Sequence, residues 1–279
     1  MPTEIPLGPP RRTVRRVVGA VTGVPIGIGV VFQPHALLLG IGGGVFLTYV
    51  VGCTALAMRR MRRFATENNL ALGALGRGEL ANAREVFARW ARSNDDAVSA
   101  LARHNLGWTL ILEGRAGDAV TILEDAALYH QRALTHQSQL PTTRVDIALC
   151  HALLGDLDRA DAWYAKADEP VKAPPRPTFK GMMAIVRGLI DCRRERAAEA
   201  MVSLEHAWAE HEATMSGETL RMMRVLRAFA CAAADGPRNQ GLVERVLGDM
   251  RPRYAGELAF LGGTWPEMAT FLATHRLDG

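Results

Sequence analysis

The sequence predicts an all-α protein: an N-terminal transmembrane helical hairpin followed by an α-solenoid of helix–turn–helix repeats. Three observations carry that prediction. Residues 17–58 contain no Asp, Glu, Lys or Arg, and four arginines flank them on each side. Beyond residue 63 the chain is a run of amphipathic helical patterns with no period-two alternation to suggest strands. Small residues recur in that second part at a spacing of 36 to 41 residues, the mark of a repeat array.

The first 16 residues form a basic tail with Arg11, Arg12, Arg15 and Arg16. The uncharged run Val17–Met58 is 42 residues long, with His35 its only potentially charged side chain. As one helix it would reach about 63 Å, twice a hydrocarbon core of about 30 Å. Pro34, within Gln33–His35, breaks the helical ladder and divides the run into Val17–Phe32 and Ala36–Met58. A hairpin with its turn at 33–35 follows. Arginines at both ends, Arg59, Arg60, Arg62 and Arg63 being the second set, place both termini on the cytoplasmic side. The expected localisation is therefore an integral membrane protein of a bacterial inner membrane; thirty arginines against three lysines suggest a GC-rich bacterial genome.

Small residues recur every four positions in both segments: Gly19, Gly23 and Gly27, then Gly40, Gly44, Thr48 and Gly52. Such stripes let helix backbones approach in lipid. They could face each other within the hairpin or drive self-association. Two rival readings fail on their own terms. "GIGGG" lacks the Lys-Ser/Thr of a phosphate loop, and "RRTVRR" precedes an apolar run far longer than an export signal without a small-residue cleavage site.

The basic pI of about 9.1 comes from these flanks. Beyond residue 63 there are 25 basic and 28 acidic residues, a balance of −3. That removes the electrostatic footprint of a nucleic-acid-binding protein. Cys53, Cys150, Cys192 and Cys231 are scattered, as expected of small buried side chains rather than of disulfides or a zinc site.

From 64 to 212 four units align. Ala83, Ala119, Ala160 and Ala200 sit on the second helix of each. Five residues earlier come the turn residues Gly78, Gly114, Gly155 and, in the fourth unit, Glu195. Twelve residues before the alanines stand Ala71, Gly107, Ala148 and Gly188; four after them stand Phe87, Leu123, Tyr164 and Leu204. Seven after come Trp90, Ala126, Ala167 and Ala207. This pattern resembles the tetratricopeptide repeat, a helix–turn–helix unit of about 34 residues with small residues where its helices cross. The first-helix tryptophan of that family is absent, the spacing is longer, and Asp191 occupies a position usually aromatic. The loop 169–181 is proline-rich. Residues 213–279 form a further divergent helix pair over 218–250 and a closing segment around Trp265–Leu272, since the end of a stack needs a different outer face.

The resemblance implies a concave groove lined by first helices. Carried onto this chain, its protein-binding positions are Asn68, Leu72, His104, Trp108, Val145, Leu149, Ile185 and Leu189. Largely apolar, such a groove would suit a peptide or amphipathic helix of a protein partner. The lysine–asparagine clamp of some relatives has no counterpart, because Lys166, Lys172 and Lys180 fall elsewhere.

Catalytic patterns are missing. "HEATM" at 211–215 puts Met215 where the zinc motif needs its second histidine. His206 and His211, or His130 and His136, are poorly spaced to share a metal on one helix. Asp95 and Asp96 sit in a turn between helices, where solvated capping is the ordinary role of a carboxylate. We expect no enzyme, cofactor or metal. Two functions follow from the sequence: a membrane-tethered scaffold for protein–protein interaction, or an accessory subunit that docks into a larger membrane complex through its glycine-rich hairpin.

Overall fold

The computed structural model describes residues 36–132, 137–171, 178–215, 217–235 and 239–279. Every regular element among them is helical. In chain order these are α1 (Ala36–Gly76), α2 (Leu80–Ala91), α3 (Asp96–Leu112), α4 (Ala116–Arg132), α5 (Leu140–Leu154) and α6 (Leu157–Asp168). Then follow α7 (Phe179–Arg193), α8 (Ala197–His211), α9 (Gly217–Asp235), α10 (Gln240–Leu247) and α11 (Pro266–Thr274). Contacts divide the chain near the end of α1, into residues 4–70 and a larger unit from Ala71 onward.

The second apolar segment, Ala36–Met58, is helical throughout and runs on without a break through the arginines. Side chains in α1 are described from Tyr49, and Arg59 lies only ten residues further. Among the described residues no helix is long and apolar enough to cross a membrane. The basic tail, the segment Val17–Phe32, the turn at 33–35 and the stripe Gly19, Gly23 and Gly27 lie outside the described residues, as do the side chains at Gly40, Gly44 and Thr48. Gly52 is exposed, and a Cβ built there would meet nothing within 4 Å. Within residues 49–70, Arg63 Nε donates to Glu67 at 2.7 Å, one helical turn on. Phe64 and Ala65 are buried, whereas Leu70 is exposed.

From Ala71 onward consecutive helices pair and the pairs stack. Each helix packs on the next, α2 on α3, α3 on α4, and so on through α10. In addition α3 touches α5, α5 touches α7 and α7 touches α9, so alternate helices form one layer. This is the arrangement of an α-solenoid, in which each unit contacts its neighbours only.

One backbone turn closes all four repeat units. Gly78, Gly114 and Gly155 have φ of 82°, 75° and 82°, and Glu195 takes the same left-handed conformation at 61°. At each turn this residue donates to a carbonyl three residues back: Leu75, Ile111, Ala152 or Cys192. The following residue donates five back, to Ala74, Leu110, His151 or Asp191. That pair of bonds is the Schellman arrangement, which satisfies the last carbonyls of a helix and lets the chain reverse. The turn therefore survives the loss of its glycine in the fourth unit.

The small and large frame positions meet in space. A Cβ at Gly107 would fall 2.5 Å from Leu123, and one at Gly188 would fall 2.6 Å from Leu204. Ala83, Ala119, Ala160 and Ala200 have no exposed surface. Helices bring their backbones close only where side chains are this small, so the alanine and glycine positions set the separation of each pair.

Between units the sequence hid a second device. On α6, Asp161 and Tyr164 are three apart, and Arg187 of α7 takes both: its Nη1 donates to Asp161 at 3.1 Å and the guanidinium lies 4.4 Å from the Tyr164 ring centre. On α8, Glu205 and Trp208 repeat the spacing. Arg227 of α9 donates to both Glu205 oxygens, at 2.9 and 2.6 Å, and lies 4.3 Å from Trp208. A planar guanidinium satisfies a carboxylate with its edge and a ring with its face, which an ammonium cannot do.

The closing segment is tied down similarly. Glu257, almost wholly buried, accepts from Arg221 Nε and Nη2, both at 2.8 Å. It also accepts from Arg253 Nε at 2.6 Å and from the Arg253 backbone N–H at 2.8 Å. A buried carboxylate so saturated holds the loop before α11 against α9.

Candidate functional site

The groove positions implied by the resemblance lie inside. Asn68, His104, Trp108, Val145, Leu149, Ile185 and Leu189 have no exposed surface, and Leu72 is half-buried. Seven of the eight are therefore buried. First-helix periodicity identifies an inward face; it does not distinguish a groove wall from a buried layer. His104 belongs to a polar cluster there, its Nδ1 3.1 Å from Thr143 Oγ1 and 3.8 Å from Asp146 Oδ2. Burial raises the pKa of Asp146 above the ordinary carboxylate range and likewise that of the neighbouring Cys150.

An open concavity lies at the end of the stack. A cleft of about 850 Å³ is bounded by the α5–α6 turn, the α7–α8 turn, α9 and the α11 cap. Its apolar surface includes Leu154, Leu157, Phe229 and Trp265, of which Leu154 remains 41% exposed. Phe229 is the hub of the aromatic wall: Trp265 meets it edge-on at 4.7 Å and Phe271 at 5.5 Å. His275 continues the row, 4.5 Å from Phe271.

Arg193 builds this wall. Its Nη1 donates to the Ala152 carbonyl at 2.9 Å, its Nη2 to Thr264 Oγ1 at 3.0 Å, and its guanidinium lies 5.2 Å from Trp265. The Thr264 hydroxyl donates to the Leu153 carbonyl. Three segments distant in sequence are thus clasped by one side chain. Burial lowers the Arg193 pKa from its very high ordinary value, while Glu267 nearby opposes the shift. Glu195, whose backbone is left-handed, and Glu267 put carboxylates on the rim. Neither Arg193 nor Glu195 carries any motif; only the turn frame marked Glu195, as a departure from glycine.

Burial pushes the Cys192 thiol up to about 12, so it stays protonated and unreactive at neutral pH. Burial raises Cys231 and Cys150 as well. These three are buried as expected, whereas Cys53 is exposed, which corrects the expectation for it. His206 and His211 both approach Glu210, at 3.3 and 3.5 Å, on the surface of α8. Among the described residues no group of three or more His, Cys, Asp or Glu side chains could hold a metal ion. Asp95 caps α3 as its position suggested, accepting from the Ala97 and Val98 backbone N–H groups at 3.1 Å each.

Comparisons with protein-family models, with curated proteins and with solved structures return no match.

Proposed function

We propose that the chain is a membrane-tethered scaffold for protein–protein interaction, built on tetratricopeptide-like repeats and facing the cytoplasm. The observation that carries the scaffold reading is the fourfold recurrence of one Schellman turn, with a small-on-large helix contact at Gly107–Leu123 and again at Gly188–Leu204. Stacked helix pairs of this kind make extended surfaces suited to other proteins. The tether rests on the sequence: the uncharged run Val17–Met58 between two sets of four arginines. Tethering raises the effective concentration of a partner at the membrane without adding any contact.

The end cleft is the receiving surface in this reading. Its aromatic and aliphatic wall, rimmed by Glu195 and Glu267, suits an apolar helix or peptide carrying a basic residue. The test has two arms. Native membranes stripped with alkaline carbonate should retain the chain until detergent is added, and a cysteine placed at position 35 should react only with reagent supplied from outside. An Ala233→Trp change fills the cleft from an exposed position and should abolish partner cross-linking while leaving the helical circular-dichroism signal intact. Release of the chain by carbonate, or cross-links that persist in Ala233→Trp, would sink the corresponding half of the proposal.

A further inference from the structure

We infer that Gly248–Trp265 is a strap that latches the repeat array shut, with the Tyr254 ring seated on Gly78 and fastening the last helices to the first turn. Helix pairs in a solenoid meet their neighbours only, so the two ends of an open array are free of each other. Tyr254 departs from that rule. A Cβ built at Gly78 would fall 2.3 Å from Tyr254 Cγ, 2.6 Å from Cδ2 and 2.7 Å from Cδ1, so the root of the ring lies against bare backbone in the α1–α2 turn. Both residues belong to the larger compact unit, near opposite ends of its sequence. Gly114 has nearly the same backbone, φ 75° against 82°, yet a Cβ there would meet nothing within 4 Å. The turn alone therefore does not create the seat; the strap does.

Either side of Tyr254 the strap is anchored. Arg224 of α9 donates to the Val246 and Leu247 carbonyls at 3.1 and 2.8 Å. Arg253 lies 3.6 Å from Glu218 at the start of α9 and joins Arg221 on the buried Glu257. Further on, Leu258, Phe260, Leu261 and Trp265 are buried, and Thr264 donates to the Leu153 carbonyl of the third unit. Tyr254 itself is only half-buried. The anchors rest on ion pairs and apolar packing, whereas the closing contact rests on one ring against one glycine.

That difference makes the contact a latch. Gly248 and Gly256 flank the ring in left-handed conformations, φ 55° and 74°, where the missing Cβ leaves the backbone freest to turn. From the end of α10 to residue 258 the strap contains no helix. Segments with few regular backbone bonds open at the lowest cost. With the ring seated, Trp108, Val145, Leu149 and Ile185 of the first helices have no exposed surface. Releasing Tyr254 leaves neighbour contacts alone to set the curvature of the array, so the inner side widens. The latch thereby controls access to the first-helix face.

The test uses the full chain in neutral detergent, with amide hydrogen exchange read by mass spectrometry. Tyr254→Ala should quicken exchange severalfold over residues 76–83 and 250–258 while α7 and α8 keep their parent rates. Tyr254→Phe retains the ring and should match the parent throughout. Opening itself is read by energy transfer between dyes on Asn82→Cys and Gly241→Cys, both exposed positions, in a Cys53→Ser background; transfer should fall in Tyr254→Ala. Should Tyr254→Ala fail to fold, the two glycine variants decide: Gly78→Ala should quicken exchange at 250–258, and Gly114→Ala, with its open surroundings, should not. Unchanged rates at 76–83, unchanged transfer, acceleration spread evenly over the whole array, a phenylalanine variant that behaves like alanine, or equal effects of the two glycine variants on 250–258 would each overturn the inference.

Discussion

Replacing Glu195 with glycine should stabilise the repeat array. Glu195 occupies the left-handed position at φ 61°, which its three counterparts fill with glycine. An L-residue with a Cβ pays about 1–2 kcal/mol there. Glycine in turn loses more backbone freedom on folding, about 0.5–1 kcal/mol. The difference favours glycine by about 0.5–1 kcal/mol, a rise in Tm of about 1–4 °C for a body of this length. The Glu195 side chain is exposed, so its removal leaves no cavity. The reciprocal change is Gly114→Ala. At φ 75° a Cβ there meets nothing within 4 Å, so only the same two backbone terms act and a loss of about 0.5–1 kcal/mol is expected. Gly78→Ala should cost more, because its Cβ would fall 2.3 Å from the Tyr254 ring in addition to the backbone penalty. Urea denaturation followed by circular dichroism and by tryptophan fluorescence measures all three, with an unchanged m-value as the sign of an unchanged unfolded state. If Glu195→Gly destabilises the protein, or Gly114→Ala is neutral, the left-handed turn is not the constraint described here.

Two further outcomes follow from packing and charge. Gly107→Ala forces its Cβ into Leu123 and should cost about 1–3 kcal/mol; adding Leu123→Ala should recover part of that loss, a coupling that a double-mutant cycle in urea reads directly. Burial lowers the His151 pKa, although Asp156 nearby pulls the other way, so the fold prefers the neutral imidazole. The associated stability is present above the ordinary histidine value of about 6.5 and is lost as pH falls through the lowered folded value. His151→Gln should therefore show a smaller drop in Tm between pH 7 and pH 5 than the parent chain, and an unchanged drop would exclude His151 as the cause.

Much of the helical body was legible because its constraints are local. A left-handed residue closing a helix selects glycine from the nearest few residues, so Gly78, Gly114 and Gly155 announce the turn spacing. Alanine at a close helix crossing is a steric requirement of one pair, and Ala83, Ala119, Ala160 and Ala200 mark it without reference to the rest of the chain. Glu195 shows the margin of such reading: the hydrogen bonds of the turn hold a residue that local preference would exclude.

The candidate site was less legible. The spacing that found the first helices also nominated His104, Trp108, Val145 and Leu149, but periodicity is identical for a groove wall and a buried layer. Only the placement of neighbours decides exposure. The cleft is assembled from residues around 153, 193, 229 and 265, and the clasp of Arg193 on Ala152, Thr264 and Trp265 spans more than seventy residues. Nothing in the local sequence distinguishes that arginine from Arg194 beside it.

The amino-acid order by itself determined the helical class, the repeat frame, the turn positions and the segregation of charge, since each follows from forces acting within a few residues. The tertiary structure alone decided which face is open, where the aromatic wall stands and which arginines bridge units. Those depend on distances between segments far apart in the chain, and solvent exposure is a property of the assembled whole.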